Sequence, residues 1–304
     1  MKPLVKKILL GLGGVVALVV VGGGGFYAIQ ASAFEGSMDK VYDVPLPKVE
    51  RSTDPVVLAR GKHVVEALGG CSSADCHGKD LAGGRPLIMG PVGTFTGPNI
   101  TPGGMLTAYS DAELVRLMRH GLKKDGRSLA FMPVQDFSWL DDADLVAAVS
   151  YLRTVPSVSK PNGLVKAGPI GKILDRKDKF IIDVARRIDH QKADLAPKPT
   201  PTPEYGKYLS RLCIGCHGEG LSGGPIPGAP KSMPTPLNLT PDATGLAGWK
   251  YEDFDKLLTQ GVRKNGATLN PFMPITNYSQ MDETEKRALF AYLMALPPRP
   301  FGGR

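Results

Sequence analysis

The chain has 304 residues, a formal net charge of +8, and high contents of glycine (37) and proline (27). This length accommodates two small domains with additional segments. The basic charge is not accompanied by a nucleic-acid-binding motif, and no flavin, quinone-redox or metal-hydrolase motif is present. Helical periodicity occurs at residues 111–122 and 251–262, whereas strand patterns are scarce. The composition and periodicity therefore predict an all-α fold with long loops.

The N-terminal segment, residues 1–35, is predicted to be a signal anchor. Lys2, Lys6 and Lys7 precede an uncharged run, and residues 8–29 alone are long enough to cross a bilayer. Lysines before the span predict a cytoplasmic N-terminus, an inner (cytoplasmic) membrane location and a periplasmic remainder. Because Ala31-Ser32-Ala33 resembles a signal-peptidase site, cleavage in the same compartment is the alternative. Residues 36–56 are predicted to be a polar linker.

The remainder of the chain contains an internal repeat. Cys76-His77-Gly78 matches Cys216-His217-Gly218 at an offset of 140, and Phe131-Met132-Pro133 matches Phe272-Met273-Pro274 at an offset of 141. Further matching positions are Asn99 and Asn238, Gly121 and Gly261, and Gly126 and Gly266. The repeat divides the chain into a first module (residues 57–157), a connector (158–203) and a second module (204–304).

The second module carries Cys213-Ile214-Gly215-Cys216-His217, the C-x-x-C-H pattern of covalent c-type haem attachment. In this chemistry two thiols add to the haem vinyl groups as thioethers, and the adjacent imidazole becomes the proximal iron ligand. The alternatives are a redox-active dithiol beside an unrelated histidine and half of a zinc site.

A degenerate copy of this motif lies in the first module, where Cys71 and Cys76 are separated by four residues and His77 follows. The four cysteines of the chain all lie in these two motifs, which favours two covalently bound c-type haems. The wider spacing leaves attachment through Cys76 alone as an alternative. Dual attachment requires the extra residues to loop out while Cys76-His77 keeps a helical turn.

Met132 and Met273 are the candidate sixth ligands of the two irons. Met132 lies 55 residues after His77, Met273 lies 56 residues after His217, and a proline follows each. Methionine ligation raises the reduction potential and suits electron transfer. His63, His120 and His190 are not repeated between the modules and are predicted not to bind iron.

Each module resembles a class I cytochrome c domain, and the whole resembles a membrane-anchored dihaem cytochrome c. The Asn-Ile-Thr-Pro and Met-Pro segments also resemble those of cytochrome subunits of periplasmic dehydrogenases. The resemblance implies that two helices cross closely in each module, at Gly61 and Tyr151 and at Gly206 and Tyr292. Asn99 and Asn238 are candidate donors to haem propionates, and Asx turns are the alternative.

The connector is the most basic segment, with 10 Lys or Arg against 5 Asp or Glu, a net charge of +5. Residues 171–191 form a basic amphipathic pattern, and the proline-rich residues 197–203 favour an extended conformation. The basic residues are predicted either to dock an acidic partner or lipid headgroups, or to form a solvated helix face.

The predicted function is electron relay by two haems, each with a His and a Met ligand, between a respiratory complex or dehydrogenase and an acceptor. The partners are redox proteins, and no enzymatic activity is expected. One alternative is an obligate subunit of a larger dehydrogenase or respiratory complex. Another is a dihaem peroxidase, which requires an open coordination site on one iron.

Overall fold

The computed structural model describes residues 3–191, 196–227, 229 and 232–304; within the first helix, it describes the side chains of residue 3, residue 14 and those from residue 19 onward. Helices dominate the regular structure of these residues. The α-helices are α1 (Pro3–Met38), α2 (Pro55–His63), α3 (Asp111–His120), α4 (Asp142–Leu152), α5 (Pro169–Arg176), α6 (Pro203–Leu209), α7 (Arg211–His217), α8 (Tyr251–Gln260), α9 (Ile275–Tyr278) and α10 (Glu283–Ala295). A π-helical turn (Val64–Leu68) continues α2, and short 3₁₀ turns lie at Gly90–Val92, Met105–Ala108, Val134–Asp136 and Ala185–Arg187.

In each module the first and last helices cross at a glycine, as the sequence predicts. A β-carbon at Gly61 of α2 would lie 2.0 Å from the Ala147 carbonyl oxygen and 2.9 Å from Cβ of Tyr151 in α4. At Gly206 of α6, the corresponding distances to the Ala288 carbonyl oxygen and Cβ of Tyr292 in α10 are 1.9 and 2.6 Å. Only glycine allows the two backbones to approach so closely. Both predicted glycine–tyrosine pairs are therefore confirmed.

The repeat extends to unusual backbone conformations. Leu81 and Leu221, 140 residues apart, both have positive φ angles (59° and 54°), which are rare for leucine. Gly121 and Gly261 both end a helix in the left-handed conformation, with φ of 65° and 67°. The two modules thus share local backbone geometry. Sequence identity at a few repeated positions indicated this similarity but did not establish it.

A small antiparallel sheet departs from the all-α prediction. Its strands are β1 (Leu87–Ile88), β2 (Gly93–Phe95) and β3 (Lys166–Ala167), in the order β1-β2-β3. Strands of two or three residues are too short to produce the alternating pattern by which strands are recognised in a sequence. The sheet joins the first module to the connector, because β3 lies in the connector.

The structure contradicts the predicted transmembrane anchor. In the part of the chain that the structure describes, no helix combines the length and apolarity needed to cross a bilayer. Residues 22–25 of α1 are four consecutive glycines, which add length to the predicted span but bury almost no apolar side-chain surface. The predicted orientation rested on three lysines near the N-terminus. Lys2 and the side chains of Lys6 and Lys7 lie outside the described residues. The membrane location and topology assigned from this anchor are corrected with it.

The last turns of α1 pack on the globular part of the chain. Phe34 is 4% exposed and lies in a small apolar cluster with Phe95 of β2 and Ile182 of the connector. Glu35 pairs with Lys172 of α5, and the Ser37 hydroxyl donates a hydrogen bond to Asp183. Residues 34–38, which include the start of the predicted linker, are therefore helical and packed against the connector.

The connector is less helical than its amphipathic pattern indicates, since α5 ends at Arg176. Some of its basic side chains form ion pairs within the chain. Arg186 contacts Asp175 and Asp178, and Arg187 lies 2.6 Å from the Asp178 carboxylate. These ion pairs neutralise part of the charge that the sequence analysis assigned to docking or to a solvated face. Four of the connector's residues, 192–195, lie outside the described residues.

The two modules share one continuous hydrophobic core. Tyr208 of α6 packs edge-on against Trp139 of the first module, with ring centroids 4.7 Å apart. Its hydroxyl accepts a hydrogen bond from the backbone N–H of Asp141 at 3.0 Å. Because aromatic contacts and hydrogen bonds both cross the boundary, the modules pack as a pair.

A buried carboxylate also crosses this boundary. Glu285 of α10 is fully buried, and it accepts hydrogen bonds from Arg60 (3.0 Å) and contacts Nε2 of His63 (2.7 Å), both in the first module. Burial raises the pKa of Glu285, but the hydrogen bond from His63 and the charge of Arg60 outweigh burial and hold this pKa below its usual value. The ionised form therefore stabilises the packing of the two modules.

Replacing Glu285 with glutamine is expected to destabilise the protein by about 2 kcal/mol at pH 7, because Arg60 keeps its ion pair with Asp144 but loses one of its two carboxylate partners, and His63 loses a charged acceptor. The lowered pKa of Glu285 means that its contribution is present above the ordinary value of 4.5 and is lost as pH falls through the folded-state value. The variant should therefore lose less stability than the parent on acidification. Urea unfolding at pH 7 and at pH 4 measures both effects. Glu283→Gln, an exposed carboxylate on the same helix, is the control, and equal effects of the two variants would contradict this account.

Candidate functional site

The second motif is held on α7, whose last residue is His217. Cys213 and Cys216 are three residues apart and therefore lie on the same side of this helix. The His217 side chain is buried, and its Nδ1 lies 2.6 Å from the carbonyl oxygen of Leu237. A backbone carbonyl can only accept, so Nδ1 carries the proton and donates it. The tautomer leaves the Nε2 lone pair as the free metal-binding atom of this imidazole.

The first motif has the same histidine arrangement. His77 is buried, and its Nδ1 lies 2.8 Å from the carbonyl oxygen of Pro98. Pro98 and Leu237 each directly precede the repeated asparagines, Asn99 and Asn238. These two carbonyls were not predicted from the motifs, although their position beside a repeated asparagine was the available signal. Both imidazoles are thus oriented by a backbone carbonyl at an equivalent position.

The backbone of the first motif differs from that of the second. Residues 71–77 form successive turns instead of a helix. The N–H of His77 donates to the Cys71 carbonyl and that of Cys76 to the Ser73 carbonyl, each at 3.0 Å. The four-residue spacing is therefore accommodated by turns throughout the segment, and the helical turn predicted at Cys76-His77 is absent from it. Cys71 remains beside the core and is half-buried.

The thiol environment is unlike that of a reactive dithiol or a zinc site. Burial raises the pKa of Cys71 and of Cys213 to about 12, and it also raises the pKa of Cys76 and Cys216. Redox-active and metal-binding cysteines require the opposite shift, because the thiolate is the reactive form. Among the described residues, no cluster of three or more His, Cys, Asp and Glu side chains could hold a metal ion. An apolar environment fits a neutral thioether better than a thiolate.

Met273 lies in the wall of an apolar cavity in the second module. The same cavity is lined by Cys213 and by apolar or aromatic side chains from α8, α9 and α10. These lining residues include Leu239, Phe254, Leu257, Leu258, Tyr278, Met281, Leu289 and Leu293. The structure therefore brings the predicted sixth ligand and one predicted attachment cysteine to the wall of one apolar cavity of about 30 Å³, and apolar side chains of this kind are suited to pack against the face of a haem.

Met132 is half-buried against the main hydrophobic core of the first module, beside which Cys71 also lies. The preceding residue, Phe131, has a φ of 71°, a strained conformation for a bulky residue. Its ring stacks on Phe95 with centroids 4.2 Å apart. Strain of this kind persists only where the surrounding structure enforces it, and here it fixes the backbone next to Met132.

Asn99 and Asn238 form Asx turns, the alternative that the sequence analysis left open. The Asn99 side-chain oxygen accepts from the N–H and hydroxyl of Thr101, and its amide donates to the Val158 carbonyl at 2.7 Å. Asn238 makes the equivalent bonds to Thr240 and to the Arg299 carbonyl. Because these amides are already used to hold the chain after α4 and α10, they are not arranged to donate to propionates.

The remaining histidines contact protein groups. His63 contacts Glu285, and His120 lies beside His190 with their Nδ1 atoms 3.2 Å apart. Burial, together with the charges of His190 and two arginines, lowers the pKa of His120 to about 4. These contacts place none of the three histidines at the two motifs.

Two polar residues that the sequence analysis did not single out lie against the motifs. Asp136 follows Met132 by four residues, and Asn277 follows Met273 by four. Asp136 contacts Gly215 in the second motif, and Asn277 exchanges hydrogen bonds with Ser73 in the first. Their equivalence at an offset of 141 was a readable signal, but their contacts depend on how the modules pack.

The chain is similar in sequence to known cytochrome c proteins. Residues 203–297 match the cytochrome c family model. The chain is 38% identical over 96 residues to the gluconate 2-dehydrogenase cytochrome c subunit of Pantoea cypripedii, covering 29% of this chain and 22% of that subunit. It is 36% identical over 98 residues to the cytochrome c subunit of a quinone alcohol dehydrogenase from Gluconacetobacter polyoxogenes, covering 30% of this chain and 21% of that subunit. The match thus spans about a fifth of the length of these subunits.

A longer match is to a dihaem c-type cytochrome of Cereibacter sphaeroides, 27% identical over 278 residues, which are 79% of this chain and 86% of that protein. Residues 203–297 therefore form a cytochrome c domain. The chain resembles a dihaem cytochrome c over most of its length and the cytochrome c subunits of dehydrogenases over about 30% of it, which confirms the resemblance drawn from its motifs apart from the membrane anchor.

Proposed function

We propose that the chain binds two covalent c-type haems and transfers single electrons. The assignment is supported most directly by the repeated histidine geometry, in which His77 and His217 each donate Nδ1–H to a backbone carbonyl, which leaves the lone pair on Nε2 to bind a metal. In this proposal Cys71 and Cys76 hold the first haem, and Cys213 and Cys216 hold the second. When bound, the haem iron supplies the one-electron chemistry.

The ligand assignment is His77 with Met132 in the first module and His217 with Met273 in the second. The carbonyl of Leu237 orients His217 and increases the basicity of its Nε2. The apolar side chains around Met273 exclude water from the opposite side of the site. A site closed on both sides by protein ligands favours electron transfer over substrate binding, so we propose that this chain is not itself the catalytic subunit.

We also propose that electrons pass between the haems inside one chain. The shared hydrophobic core and the buried Arg60–Glu285 pair hold the two modules in one arrangement. The segments after Met132 and Met273 each contact the attachment motif of the other module. A fixed arrangement of this kind keeps the distance between the sites short and constant.

A second candidate function is that of a cytochrome subunit in a larger complex. It is favoured by the relatives named as cytochrome subunits of gluconate, alcohol and fructose dehydrogenases. The donor would then be a dehydrogenase subunit bound permanently to this chain. Purification of the chain from its native source under mild conditions distinguishes a constant partner in fixed ratio from a free electron carrier.

A potentiometric titration tests the proposed electron-transfer function. The purified protein is expected to take up two electrons in two one-electron steps, each with the visible spectrum of a low-spin haem with six ligands. It should not turn over hydrogen peroxide, because both sixth positions are filled by methionine. A high-spin haem with steady peroxide turnover would support the peroxidase alternative and contradict this proposal.

A further inference from the structure

The two modules contact each other reciprocally at their attachment motifs. Asn277, four residues after Met273, forms hydrogen bonds with Ser73 between the first pair of cysteines, at 3.1 and 3.2 Å. Asp136, four residues after Met132, lies against Gly215 between the second pair, so that a β-carbon at Gly215 would be 3.1 Å from its Oδ1. Asp136 and Asn277 are equivalent residues of the repeat. Each attachment motif therefore faces the same position of the opposite module.

The two equivalent residues differ in charge. Asn277 is neutral, whereas Asp136 presents a carboxylate to the second motif. Burial raises the pKa of Asp136 to about 6. Arg119 and Arg304 line the same cleft, but Arg119 is bonded to Asp142 and Arg304 to the Gly224 carbonyl. Asp136 is therefore a partly buried negative charge at the boundary between the modules.

The carboxylate of Asp136 lies at the attachment site itself, because it faces Gly215 between Cys213 and Cys216. In the first module the charge next to Cys76 is Asp75, which is exposed and paired with Arg85 at 2.7 Å. Solvent and the charge of Arg85 therefore screen the carboxylate of Asp75. The carboxylate of Asp136 is more buried and is screened less.

We propose that Asp136 of the first module lowers the reduction potential of the second haem, and that the Asp136/Asn277 difference separates the potentials of two otherwise similar sites. This proposal rests on the function proposed above. A negative charge near an iron stabilises the oxidised form, which carries one more positive charge, so it lowers the potential. The packing of the first module on the second thus positions a group that tunes the second haem.

Two isosteric exchanges test the proposal in the haem-loaded protein at pH 8, where Asp136 is ionised. Asp136→Asn is expected to raise one midpoint potential and leave the other in place. Asn277→Asp is expected to lower the other potential. Each exchange should change the equilibrium constant for passing an electron between the haems by about tenfold, on the order of 59 mV for a one-electron couple. Glu252→Gln removes an exposed carboxylate from α8 and is the control for a general charge effect.

The outcomes separate this proposal from the one on which it rests. Opposite shifts in two different couples support it. Two covalent haems with potentials unmoved by Asp136→Asn, or moved equally by Glu252→Gln, would overturn the role of Asp136 and leave dihaem electron transfer intact. A protein with a single haem couple would overturn both proposals. Pyridine haemochrome spectra of each variant establish that the haem content equals that of the parent.

Discussion

Replacing Met273 with alanine is expected to open the sixth position of the second iron and lower its midpoint potential by on the order of 0.1 V, since axial ligands set haem potentials over a wide range. The first haem should keep its spectrum and potential, because Met132 belongs to the other module. The open site should also bind carbon monoxide in the reduced state, which the parent protein should not do. Potentiometry with visible spectroscopy, followed by carbon monoxide titration, measures these effects.

Met281→Ala provides a matched control, because Met281 is buried in the wall of the same cavity. This exchange removes the same number of atoms and a second thioether from one cavity, so it creates a comparable void. We expect lower stability with an unchanged haem spectrum. If Met281→Ala altered the spectrum and Met273→Ala did not, the ligand assignment would be wrong.

Replacing Gly206 with alanine is expected to destabilise the second module by about 3 kcal/mol or to prevent its folding, because overpacking against a rigid neighbour cannot be relieved by a side-chain rotation. The added β-carbon would lie 1.9 Å from the Ala288 carbonyl oxygen and 2.5 Å from its carbonyl carbon. Helices α6 and α10 must therefore separate, and the core around Leu289 and Leu293 separates with them. Urea unfolding followed by circular dichroism measures the loss.

Gly36→Ala is the control for a glycine exchange in a helix. Gly36 lies in α1, and a β-carbon there would have no heavy atom within 4 Å. Alanine has the higher helix propensity, by about 1 kcal/mol, so this variant should be as stable as the parent or slightly more stable. A Gly206→Ala protein with the parent's unfolding curve would contradict the close helix crossing.

The parts of the site that could be predicted are those fixed by local chemistry and by the repeat. The C-x-x-C-H motif, its degenerate copy and the methionines at matching distances are sequence patterns, and the glycine–tyrosine crossings follow from the resemblance. The tautomers of His77 and His217 could not be predicted, because their carbonyl partners are 21 and 20 residues away along the chain. The contacts of Asp136 and Asn277 depend on module packing, which no pattern in one sequence encodes.

The errors have physical causes as well. The N-terminal run is uncharged, but its four consecutive glycines supply length without apolar surface, and the end of α1 packs on the connector. The docking surface or solvated face predicted for the basic connector stays a prediction, although one of its basic residues, Arg186, pairs with Asp175 and Asp178 at short range. The net charge of a segment does not show which groups its charged side chains contact, so it is a weak predictor of docking.

Haem stoichiometry tests the central claim most directly, because both modules are assigned the same chemistry. Intact mass of the purified protein counts covalent haems, the pyridine haemochrome spectrum distinguishes two thioether bonds from one, and peptide mass mapping assigns each haem to its cysteines. We predict two haems, each attached through two thioethers. One haem per chain, with Cys71 and Cys76 unmodified, would contradict dihaem electron transfer and leave a single cytochrome c domain at residues 203–297.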